Sequence, residues 1–121
     1  WSNSTSDRRL KENIINLTGS LAKIQQLQGR AYEWRVPEAH NGTTTAAGFI
    51  AQEIQEVFPE FVREAKLRDD AEKDLIPSGS ALTYGLPDAF TAHLVEAIKE
   101  QQVIIGALTA RVEQLEISGS Q

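Results

Sequence analysis

Residues 94–115 read LVEAIKEQQVIIGALTARVEQL, which places Leu94, Ile98, Gln101, Ile105, Leu108, Val112 and Leu115 at separations alternating between four and three. That spacing is a heptad seam, with Ile98, Ile105 and Val112 at a and Leu94, Gln101, Leu108 and Leu115 at d. One helix cannot bury such a stripe by itself. Pro87 and Asp88 suit a first helical turn and Gly119 suits an end, so a single helix is predicted over 88–117. β-branched residues at a with leucine at d favour two strands, but Ala97 and Ile104 at g and Val95 at e widen the face and permit three. The plain alternative is an amphipathic helix packed on its own domain. Gln101 weighs against it, because a polar core residue destabilises a private core yet sets register between identical helices.

Upstream of the helix the signals are shorter. Leu21, Ile24 and Leu27 predict a two-turn helix within 20–28, between Gly19 and Gly29. The aromatic stretch 30–36, with Tyr32, Trp34 and Val36, predicts a half-buried strand ended by Pro37. Asn41-Gly42 makes 37–45 a surface loop with a tight turn. Phe49, Ile50, Ile54, Val57 and Phe58 form one face of a helix stopped by Pro59, and Phe61 and Val62 start a strand. Residues 66–73 read as a charged turn, and 77–80 as a loop before a short apolar piece around Leu82 and Tyr84. Ile14, Ile15 and Leu17 are expected to anchor the N-terminal segment to the core.

Composition bounds what such a chain can do. Its 121 residues suit one domain, and 40% hydrophobic with 24% charged residues is ordinary globular usage. Twelve basic against seventeen acidic residues give a net charge of −5, which disfavours nucleic acid as a partner. There is no cysteine, so disulfides and thiolate metal sites are excluded. His40 and His93 lie at no recognised ligand spacing and read as surface residues; no metal and no cofactor are expected. No apolar run approaches the roughly 20 residues that span a bilayer, so no membrane partner is expected. A start at Trp1 without any methionine points to a piece of something larger, with 1–6 as a polar linker.

Three stretches then occur in order. Ser6-Asp7-Arg8-Arg9-Leu10-Lys11-Glu12-Asn13-Ile14 is the first, and Gly48-Phe49-Ile50-Ala51-Gln52-Glu53-Ile54 with Val57-Phe58-Pro59-Glu60-Phe61-Val62 the second. Tyr84 followed by Leu94-Val95-Glu96-Ala97-Ile98-Lys99-Glu100-Gln101 is the third. Together they resemble the intramolecular chaperone and auto-processing domain of phage endosialidase tailspikes, which is also seen in other phage fibres and in the myelin regulatory factor of animals. The resemblance implies a self-cleaving serine endopeptidase that acts once, works as a homotrimer, helps an upstream tail spike or fibre to fold, and is then released. It implies a virion tail precursor assembled in the host cytoplasm. It places the nucleophile at Ser6, the general base at Lys11 and the cut beside Asp7.

The implied chemistry sets its own conditions. The Ser6 hydroxyl must lose its proton as it attacks a carbonyl, and the Lys11 amine must be neutral to accept that proton. Desolvation or a neighbouring cation, Arg8 or Arg9, would favour the neutral amine. Five positions apart, the two side chains share neither a helix face nor a strand face, so a turn at 7–10 or donation of Lys11 from a neighbouring subunit is required. Attack by Ser6 on its own carbonyl closes a strained four-membered ring, and attack on the Thr5 carbonyl a five-membered one. The family resemblance favours the Ser6–Asp7 bond, with attack between subunits relieving the strain, so the scissile bond stays open.

Apart from the resemblance, Ser6 reads as a turn or helix cap and Lys11 as a solvated charge. Gln52 and Glu53 read as a solvent-facing helix flank. The expected fold is α+β: a linker and cleavage segment at 1–6, a chaperone core of short helices and strands at 7–86, and a long helix at 87–117 forming a trimeric coiled coil. A trimerisation module that never cuts, or an adaptor whose helix binds another protein's helix, are the competing functions.

Overall fold

The computed structural model describes residues 5–119. The linker expected at 1–6 therefore lies, for residues 1–4, outside the described residues. After a 3₁₀ turn at Arg8–Leu10, the elements follow as α1 (Ser20–Gln25), β1 (Arg30–Glu33), β2 (Thr45–Gly48), α2 (Ala51–Val57), β3 (Val62–Lys66), α3 (Asp70–Leu75), β4 (Ser80–Tyr84) and α4 (Asp88–Gly119). The class is α+β with a long C-terminal helix, as expected. The strands form two separate antiparallel pairs, β1 with β2 (Arg30 opposite Gly48) and β3 with β4 (Val62 opposite Tyr84).

The core is small and aromatic. Ile54, Phe58 and Phe61 are buried, with Phe58 fully so (0% exposed), and Ile24, Leu27, Phe49, Tyr84 and Phe90 pack around them. Phe58 stacks on Phe61 at 4.8 Å, and Phe90, in the first turn of α4, meets Phe49, Phe58 and Phe61 edge-on. That edge-to-face geometry adds to the burial of each ring. Gly48 sits where a Cβ would lie 3.2 Å from the Tyr84 hydroxyl, so the residue there must be small for β2 to close on β4's tyrosine. Helix α2 starts later than the apolar pattern implies: Phe49 and Ile50 precede it, while Phe58 follows it as the cap.

Several expectations are corrected. Residues 66–73 are not a plain charged turn, because Asp69 accepts the Glu72 N–H at 2.9 Å and starts α3. Strand β1 stops at Glu33 rather than Val36; the Trp34 N–H still reaches the Thr44 carbonyl at 2.8 Å before Pro37 opens a 3₁₀ turn. The loop expected over 37–45 does hold a tight turn at Asn41 and Gly42, both with positive φ, but its last residue, Thr45, begins β2. His40 and His93 are half-buried and hydrogen-bonded rather than free on the surface. His40 stacks flat on Trp34 at 3.5 Å and bonds Glu72 at 2.9 Å, and His93 bonds the buried Ser20 hydroxyl at 2.9 Å beside Phe58.

The largest correction concerns the N-terminal segment. Ile14, Ile15 and Leu17 do not anchor to the core; all are exposed, Ile15 by 85%. The chain reaches α1 through Gly19 in a left-handed turn (φ 73°). The Glu100 carboxylate of α4 accepts the N–H groups of Gly19 at 3.1 Å and Leu21 at 2.6 Å, satisfying donors that a helix start leaves open. Helix α4 itself divides in two. Its first turns bury Ala97 and half-bury Leu94 on the body, whereas residues 101–119 are exposed on every side.

Phe58→Ala is expected to cost about 3–5 kcal/mol, the usual cost of truncating a buried phenylalanine, and Ile15→Ala less than about 0.5 kcal/mol, as for an exposed site. Denaturant unfolding at one protein concentration measures both.

Candidate active site

Residues 6–11 form a knot tied by one aspartate. Asp7 Oδ1 accepts the Arg9 backbone N–H at 2.8 Å and Arg9 Nε at 3.1 Å, while Arg9 Nη2 donates to Oδ2 at 2.8 Å. The Leu10 N–H meets the Asp7 carbonyl at 3.0 Å and the Lys11 N–H meets the Arg8 carbonyl at 3.1 Å, closing the 3₁₀ turn. Regular structure would point Ser6 and Lys11 apart; this turn folds them together, and Lys11 Nζ donates to Ser6 Oγ at 2.5 Å. The turn required at 7–10 is therefore present, within a single chain.

The electrostatics differ from the expectation in one respect. Arg9, one of the two cations expected beside Lys11, is instead a two-pronged partner of Asp7. Its side-chain hydrogen bond, and then its backbone N–H, hold the Asp7 carboxyl below the usual aspartate range, and Asp7 in turn raises Arg9. Ser6, Asp7, Arg8, Arg9 and Lys11 are all exposed. One chain alone leaves the serine and lysine in water.

The second quoted stretch is structural. Phe49 presents its N–H to the Tyr84 hydroxyl at 3.2 Å and packs edge-on against that ring, so the second and third stretches meet in the core. Glu53 is bound to Arg30 through two hydrogen bonds of 3.0 and 2.6 Å, and that side-chain contact lowers its carboxyl. Gln52 is exposed, consistent with a helix flank. The seam residues Ile98, Gln101, Ile105, Leu108, Val112 and Leu115 are also exposed, Ile98 by 65% and Leu115 by 62%. Sequence reasoning missed Glu100, whose only signal is one acid among several on α4.

Residues 6–63 match a family model described as the chaperone of endosialidase. This stretch belongs to the chaperone-of-endosialidase family. The chaperone-of-endosialidase match begins at Ser6 and takes in Lys11 and the Ile54–Phe58 core, but leaves out α4. Two relatives extend the likeness over 111 residues, 92% of this chain, at 35% identity: the long tail fibre protein Gp37 of Enterobacteria phage K3 and that of Enterobacteria phage T2. The chain spans only 8% and 7% of their lengths. The family's name is that of a peptidase group.

Acid should loosen the turn. A carboxyl lowered in the folded chain stabilises it above the unfolded aspartate value and is lost as pH falls through the lower folded value. The Arg9 amide resonance should therefore hold from neutral pH through the ordinary aspartate range and move only below it; in Asp7→Asn that acid transition should vanish.

Proposed function

We propose that this chain is an assembly chaperone at the C-terminal end of a phage tail fibre or spike, which gathers three copies and then severs itself at Ser6. The observation that carries the reading is the Lys11 Nζ contact with Ser6 Oγ, 2.5 Å long, at the first residue of the family match. The tail fibre relatives supply the setting, a virion tail component whose upstream fibre is the domain's partner. Assembly would take place in the host cytoplasm, and the domain would leave the mature fibre.

The division of labour follows the chain. The segment 1–6 joins the fibre and carries the cut, 7–86 is the chaperone core, and 87–117 is the coiled-coil helix. Matching the register of three long fibre chains is entropically costly, and a domain that trimerises first raises their local concentration. Removing it afterwards makes the assembled fibre kinetically persistent, because the released chains no longer carry the element that joined them.

In the reaction, neutral Lys11 Nζ takes the proton from Ser6 Oγ as the oxygen adds to the scissile carbonyl carbon. The amide nitrogen leaves with a proton, an ester on Ser6 remains, and water hydrolyses it to a carboxylic acid and the free hydroxyl. Either the Thr5 carbonyl of the same chain or a Ser6 carbonyl of a neighbour satisfies the ring geometry. Neighbouring copies would also exclude water from the exposed pair, which links assembly to cutting. That same exposure favours, as the second reading, a trimerisation module in which Ser6 never reacts.

Fusion of the chain to its upstream fibre segment, followed by mass spectrometry, tests the cut. Ser6→Ala should abolish processing while trimers still form. Lys11→Arg should slow it roughly 10²–10⁴-fold, the usual worth of a positioned proton acceptor, since a guanidinium keeps its proton. In the unaltered chain the rate should rise with pH. Processing that persists in both variants removes the pair from the mechanism.

Replacing Ile105 and Leu108 with aspartate buries two charges per chain at consecutive layers, each costing several kcal/mol or more. Analytical ultracentrifugation should show monomers, circular dichroism an intact body, and mass spectrometry an uncut Ser6. A folded monomer that still cuts itself would leave the dyad standing and remove the dependence on assembly. A natural monomer would favour the adaptor reading.

A further inference from the structure

Two unsatisfied surfaces of this chain are complementary to each other. The arm from Leu10 to Leu17 exposes Leu10, Ile14, Ile15 and Leu17, and none of them joins the core. On the body, a groove of about 480 Å³ runs between residues 32–35 and 82–84, with Ile50 and Leu75 along it. Its walls are consecutive residues of β1 and β4 and the positions that follow β1, whereas one face of a strand would contribute alternate residues. The groove therefore opens onto strand edges. Among the described residues β1 pairs only with β2 and β4 only with β3, so both edges facing the groove lack a strand partner. Such edges are templates for another extended segment.

We propose that residues 14–17 of one copy's arm, which follow Asn13 in a left-handed conformation (φ 54°), lie as an extended strand in the β1–β4 groove of a neighbouring copy, joining the two strand pairs and closing a ring of three. The proposal rests on the assembly reading above for the identity of the neighbour. Within one chain the arm's apolar side chains stay outside the core cluster. Ile14 lies five residues before Gly19, a reach of about 17 Å when extended. The arm also starts where copies would converge, because Gly19 is held by Glu100, the residue before seam position Gln101. Within the arm Lys11 and Glu12 cancel, so no net charge opposes its seat beside an acidic wall. Glu33 and Glu72 outnumber Arg35 at the groove. Backbone pairing supplies affinity and alternate apolar side chains supply register, as in other strand-addition contacts. A head-to-tail contact of this kind closes only under a rotation, which a threefold seam provides. An exchanged arm brings each Ser6–Lys11 pair against a neighbour's body.

The test places a benzophenone side chain at Ile15 of the whole chain, and separately at Ile14, in assemblies mixed equally from light- and heavy-nitrogen protein. On irradiation, position 15 or 14 should link to peptides within 30–35 or 80–84, and half of the linked pairs should carry mixed labels. Gln101→Cys, run in parallel, should give interchain disulfides at the seam. Seam disulfides with arm links that are single-label, or that map elsewhere, overturn the exchange while assembly stands. Absence of both seam disulfides and mixed-label pairs overturns the assembly reading and the exchange with it.

Discussion

Glu100 is the residue on which arm, body and long helix converge. Its carboxylate takes the N–H groups of Gly19 and Leu21, and about two helical turns earlier His93 reaches the Ser20 hydroxyl, so the start of α1 is held against α4 at three consecutive residues. An acid at a helix N-terminus satisfies donors that would otherwise be stranded, worth about 1–2 kcal/mol in a partly buried site. The consequence is geometric. With α1 held there, the first turns of α4 belong to the body, the remainder of α4 projects from it, and the arm that carries Ser6 leaves from the base of the projecting part.

That arrangement separates a packed core from two exposed apolar surfaces. Phe58, Phe61 and Phe90 meet in the core, which is built from the Gly48–Val62 stretch together with Tyr84 and the first turn of α4. The seam from Ile98 to Leu115 and the arm from Leu10 to Leu17 remain in water. Apolar surface of that extent on so small a body is the mark of an interaction site. The Asp7 and Arg9 knot meanwhile keeps Ser6 and Lys11 in contact with no help from the core. The pair is thus held together while both side chains remain solvated.

Much of this was legible in the residues. The alternation of four and three from Leu94 to Leu115 announces one long helix with an exposed stripe, because heptad periodicity depends on local geometry alone. Asn41-Gly42 announces its turn, and Pro59 ends α2, for equally local reasons. Ser6, Asp7 and Lys11 stand out through family resemblance, and the need for a turn between them follows from side-chain periodicity. The Asp69 cap of α3 was also present as an acid three residues before Glu72, masked by the surrounding charge.

What the tertiary structure alone decided are the pairings between distant residues. Thr45-Ala46-Ala47-Gly48 carries no strand signal, and becomes β2 because Tyr32 and Tyr84 close around Gly48. His40 and His93 look like surface residues until Trp34, Glu72, Ser20 and Phe58 surround them. Ile14, Ile15 and Leu17 look like core residues, yet the core forms from other segments and leaves them exposed. Local spacing by itself determined α1, α2 and α4, the Asn41-Gly42 turn and the apolar stripe of α4, since those depend on neighbours within a few residues. Which apolar side chains are buried, and which polar ones find partners, depends on segments tens of residues away, and only packing brings those together.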